Sequence, residues 1–130
     1  MSEQQKAEVR IAMWSGPRNI STALMRSFEN RSDTFVSDEP LYAHYLKKTG
    51  VNHPLWKKII KSNNTNLDEV SNYLIGDIPK RKSVWYQKHM AQHILPEMDL
   101  VWIENLTNCI LIRDPIDVIL SYSLKYDITS

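Results

Sequence analysis

The chain has 130 residues, 42% of them apolar and 24% charged, enough for one domain with a moderate buried core and too apolar for a disordered tail. Sixteen basic against 15 acidic residues leave a formal net charge of +1, which offers no global field for nucleic acid or an anionic membrane, so any anion site has to be local. The opening "MSEQQKAEVR" is polar, no apolar run nears the roughly 20 residues of a membrane span, and the single cysteine, Cys109, sits in "CILI" as a small buried hydrophobe would; together these point to a cytoplasmic protein.

The segment "VRIAMW" (residues 9–14) is short and apolar, as suits a strand covered on both faces of a sheet. A helix is expected to start near Asn19, with Ile20, Leu24 and Phe28 on its apolar face. "DTFVSDEP" offers a second strand at residues 34–36, and "PLYAHYLKK" a helix with Pro40 at an early position. Two more helices follow in "HPLWKKIIKS" and "TNLDEVSNYLIG", the latter with Asn66 as N-cap, acids in its first turn and Gly76 past its end. "SVWYQKH" (83–89) and "TNCILIRD" (107–114) read as the third and fourth strands, and a last helix opens with Asp114 as N-cap and Pro115 behind it. Strands alternating with helices imply an α/β layered fold with a mostly parallel sheet. Ligands of such sheets bind at the carboxyl ends of the strands, where two polar turns fall, 15–22 and 113–121.

A strand that turns tightly into a helix aims the first backbone N–H groups and the positive end of the helix dipole at whatever lies above it, and phosphate or sulfate is the natural guest. In "SGPRNIST", Gly16 and Pro17 allow the turn, Arg18 brings a cationic fork, and Ser21 and Thr22 bring hydroxyls. The ATPase pattern G-x-x-x-x-G-K-[ST] fails here, because Ser21 and Thr22 stand where its Gly-Lys pair belongs. In "LIRDPIDVILSY", Arg113 at the strand end and Ser121 in the following helix could grip a second anion.

With both turns in place, the chain resembles the N-terminal half of the P-loop-fold sulfotransferases that use 3′-phosphoadenosine 5′-phosphosulfate. "GPRNIST" matches that family's phosphosulfate loop, which implies donor contacts from Gly16, Pro17, Arg18, Asn19, Ile20, Ser21 and Thr22. "RDPIDVILS" matches its 3′-phosphate motif through Arg113 and Ser121. "YQKHM" offers His89 as the counterpart of the histidine that deprotonates the acceptor in cytosolic members, with Lys88 in place of a strand-end lysine. "DEPLY" offers Glu39 as the counterpart of the glutamate base in sugar-directed branches. The resemblance implies a three-layer P-loop-like domain over residues 1–130 that continues beyond Ser130. It also implies sulfuryl transfer without a metal to the hydroxyl or amine of a small molecule. His89 is the favoured base, its ring expected between the two anion turns, and Arg18 faces the transferring group. Ile20 departs from the family's usual glycine. A kinase-like phosphotransferase and a non-catalytic nucleotide-binding fragment are the rival readings. Neither nucleic acid nor membrane is expected as partner, and self-association is left open. His93, four residues after His89, raises a metal pair with no third ligand beside it.

Overall fold

The computed structural model of the chain describes residues 7–16, 20–52 and 55–112. Its four strands, β1 (Val9–Ser15), β2 (Thr34–Asp38), β3 (Val84–Met90) and β4 (Thr107–Leu111), form one sheet in the order β2-β3-β1-β4 with every pair parallel. Between them run α1 (Ser21–Glu29), α2 (Tyr42–Thr49), α3 (Trp56–Ser62) and α4 (Leu67–Leu74), with 3₁₀ turns at Pro79–Arg81, Ala91–His93 and Val101–Asn105. This is the α/β layered class expected from the alternation of strand and helix patterns, and it agrees with a P-loop-like three-layer arrangement. The strand expected at 107–114 is formed as far as Leu111. The helix opened by Asp114 and Pro115 lies outside the described residues.

Strand β3 decides which side of the sheet each residue serves, because successive side chains point to opposite faces. Tyr86 stacks on Phe28 of α1 at a centroid distance of 4.4 Å, so Tyr86, Lys88 and Met90 face α1. Trp85, Gln87 and His89 face the other layer. There Trp85 meets Tyr73 edge-on, Gln87 donates through Nε2 to the Leu74 carbonyl at 2.9 Å, and His89 meets Trp102. The main core lies in that second layer, where Ala12, Leu41, Val70, Leu74, Ile78, Trp85, Trp102 and Leu106 are buried together. Each such aliphatic side chain, fully buried, contributes on the order of 2 kcal/mol.

Two local readings turn out differently. The apolar face of α1 is rotated from the expected one: Ser21 and Met25 are buried, Phe28 lies against Tyr86, and Ile20 is 60% exposed just ahead of the helix. The sheet surface that α1 covers, not the spacing of its largest residues alone, sets which stripe turns inward. Pro40 stands ahead of α2, whose N-cap is Leu41. The α4 start is as expected, since the Asn66 side chain accepts a hydrogen bond from the Glu69 N–H at 3.0 Å. Asn66→Ala should therefore cost about 1 kcal/mol of unfolding free energy by urea titration, with Asn66→Asp close to the parent.

Candidate functional site

Lys88 is the centre of a polar cluster at the carboxyl edge of the sheet. Its side chain is only 7% exposed, and its Nζ lies 3.0 Å from the Thr22 hydroxyl, 3.1 Å from Glu39 Oε2 and 3.3 Å from Asp38 Oδ1. Three elements supply these partners: Lys88 comes from the end of β3, Asp38 from the end of β2, and Thr22 from the first turn of α1. The Glu39 N–H donates to the Lys88 carbonyl at 2.9 Å, which carries the β2–β3 ladder one step past the strand and brings the two side chains together. A buried ammonium needs such partners, because desolvating it alone would be prohibitively costly.

Glu39 reaches this position on a left-handed backbone with φ 50°. A side chain there costs roughly 1–3 kcal/mol, the sort of local strain that clusters at functional sites. Its other oxygen, Oε1, lies 3.9 Å from Nε2 of His93, whose ring is buried between Tyr42 and Tyr45. Burial, and then the Glu39 charge, push the Tyr42 phenol above its usual range. Beside the carboxylates a cavity of about 260 Å³ opens, walled by Asp38, Glu39, Pro40, Tyr42 and Ala43 and closed by Ile59 and Asn63. Residues of the middle segment, α3 among them, thus line the space next to Glu39.

His89 is placed elsewhere. Its ring is 1% exposed, stacks on Trp14 at 4.4 Å, meets Trp102 edge-on and shares a hydrogen bond between Nε2 and Gln87 Oε1 at 3.0 Å. It sits on the face away from α1 and Thr22, whereas Lys88, one residue earlier, points to that face; the second anion turn lies outside the described residues. Burial, and then the electrostatic influence of the neighbouring His93, lower the His89 pKa to about 3. The ring is a neutral core group at ordinary pH.

Of the first turn, Gly16 follows β1 directly, Ile20 is exposed ahead of α1, Ser21 is buried and Thr22 touches Lys88. Pro17, Arg18, Asn19, Arg113 and Ser121 lie outside the described residues. Asp38 and Tyr42 were not singled out from the sequence, although "SDEPLY" closes a strand with both. Cys109 is half-buried and unbridged. Among the described residues no three His, Cys, Asp or Glu side chains gather as a metal-ligand set, and no described helix is long and apolar enough to cross a membrane.

Two curated proteins of Arabidopsis thaliana resemble the chain over 112 residues, branched-chain-amino-acid aminotransferase-like protein 2 at 35% identity and branched-chain-amino-acid aminotransferase-like protein 1 at 36%. In both cases 86% of this chain is covered but 20% of the relative, so the chain spans about a fifth of the length of the curated relatives it matches. No solved structure matches significantly. The family model described as sulfotransferase domain matches residues 9–130, both anion-turn motifs and the whole Lys88 cluster included, and the chain belongs to that family.

Proposed function

We propose that the chain carries the donor-binding and reacting edge of an enzyme that moves a sulfuryl group from 3′-phosphoadenosine 5′-phosphosulfate to the hydroxyl or amine of a small acceptor. The observation that carries this reading is the convergence of Thr22, Lys88 and Glu39 at the end of a sulfotransferase-family sheet. Thr22 belongs to the phosphosulfate motif, Lys88 brings a buried positive charge to it, and Glu39 brings a carboxylate to the mouth of a cavity of small-molecule size.

The proposed reaction runs in line. The acceptor oxygen attacks sulfur, the bond from sulfur to the 5′-phosphate oxygen breaks, 3′-phosphoadenosine 5′-phosphate departs, and the acceptor proton passes to Glu39. Arg18, the backbone N–H groups of the turn other than that of Pro17, and Lys88 offset the charge that builds on the transferring group and the leaving oxygen. Arg113 and Ser121 hold the 3′-phosphate. Glu39 thereby takes the role for which His89 was the first choice, since a buried neutral ring on the far face has no path to an acceptor in the cavity.

Titration calorimetry on the full-length protein tests the donor. The expected result is binding of 3′-phosphoadenosine 5′-phosphate at least about tenfold tighter than ATP with Mg²⁺, the discrimination of one well-placed charge-assisted contact. Tighter, Mg²⁺-dependent binding of ATP would replace this reading with a kinase-like phosphotransferase.

A further inference from the structure

We propose that His93 is the positioning residue of Glu39: the Lys88 ammonium holds one oxygen of the carboxylate while the imidazole stands against the other, limiting the directions in which Glu39 meets an acceptor hydroxyl. The inference rests on the reading of Glu39 as acceptor base and adds a residue to it.

His93 closes the short 3₁₀ turn that follows β3 and is 1% exposed. Its ring lies against those of Tyr42 and Tyr45, with centroids 5.2 and 4.9 Å away. An aromatic slot of that kind is filled as well by phenyl as by imidazole. What imidazole adds is its nitrogens, and Nε2 faces Glu39 Oε1 at 3.9 Å while Lys88 Nζ stands 3.1 Å from Oε2. A glutamate has three side-chain torsions and would otherwise sample many directions, so a hydrogen bond at one oxygen and a packed ring beside the other remove freedom before the acceptor arrives. The left-handed backbone at Glu39 fixes the base of the same side chain.

The charged and titratable groups around this pair come from every neighbouring element: Asp38 from the end of β2, Lys88 and His89 from β3, Tyr42 and Tyr45 from α2.

His93→Phe in the full-length protein keeps the aromatic slot filled and removes only the nitrogens. The expected result is a kcat about tenfold lower, as for a misaligned general base, with donor affinity and acceptor KM unchanged. His93→Gln, which restores a polar contact toward Glu39, should recover part of the rate and serves as the test if the Phe variant does not fold. The carboxyl-carbon resonance of Glu39, recorded by NMR at a single pH without donor or acceptor, should move in His93→Phe, because the ring edge that faces Oε1 has changed. An unchanged resonance together with an unchanged kcat overturns the proposal. A moved resonance in a protein that transfers no sulfuryl group keeps the His93–Glu39 contact and removes the sulfotransferase reading instead.

Discussion

Glu39→Gln should lower kcat for sulfuryl transfer by roughly a hundredfold or more, the usual loss when a general base is removed, with donor affinity changed by less than about twofold. The amide is nearly isosteric and can still meet Lys88 and the cavity wall, so the fold and the donor turn are undisturbed. In the proposed reaction, what is lost is the negative charge that takes up the acceptor proton. Because Gln leaves the Lys88 ammonium with Asp38 at 3.3 Å as its remaining carboxylate partner, the variant is expected to fold, and initial rates together with calorimetry on the donor product separate the two effects. Retained turnover in Glu39→Gln, with loss in His89→Ala, would return the role of base to the histidine despite its burial.

The second large effect concerns stability in acid. An unfolded imidazole takes up a proton below its ordinary value of 6.5, whereas folded His89 stays neutral down to about 3. Between those limits the unfolded chain binds one proton more than the folded one. Stability contributed by the neutral ring is therefore complete above about pH 6.5 and drains away as the pH falls, at up to about 1.4 kcal/mol per pH unit from this one site. Urea unfolding midpoints measured from pH 7.5 down to 5 should show that slope. His89→Phe, which fills the slot between Trp14 and Trp102 with a ring that cannot titrate, should flatten it by the share of one proton. An unaltered slope would mean that His89 is protonated in the folded protein.

The same two residues show how much of the site could be read beforehand. "VWYQKHM" declares a strand, and its alternation guarantees that Lys88 and His89 point opposite ways. Nothing in those letters says which face α1 covers, and that one binary choice decides which residue joins Thr22. The strands and the Asn66 cap were legible because each depends on neighbours in sequence. The left-handed backbone of Glu39 was not, since glutamate has no preference for that region. Nor was the pairing of Glu39 with His93, which requires the turn after β3 to fold back over α2. The rotation of α1 was hidden for a related reason: Ser21, small and polar, is buried at the sheet edge where the larger Ile20 is not.

The strand order also governs how the chain can come to be folded. Strand β1 is made first, yet both of its partners are distant: Val9 pairs with Val84, and Ile11 pairs with Thr107. During synthesis from the N-terminus β1 therefore waits, its ladder groups unmatched by any other described strand, until β3 has been made. Closing such long loops is slow, and contacts of this separation form late. The carboxyl edge that carries Thr22, Lys88 and Glu39 is thus assembled in one late step, when β3 slides between β1 and β2, and a nascent chain halted before Val84 has neither a sheet nor a site.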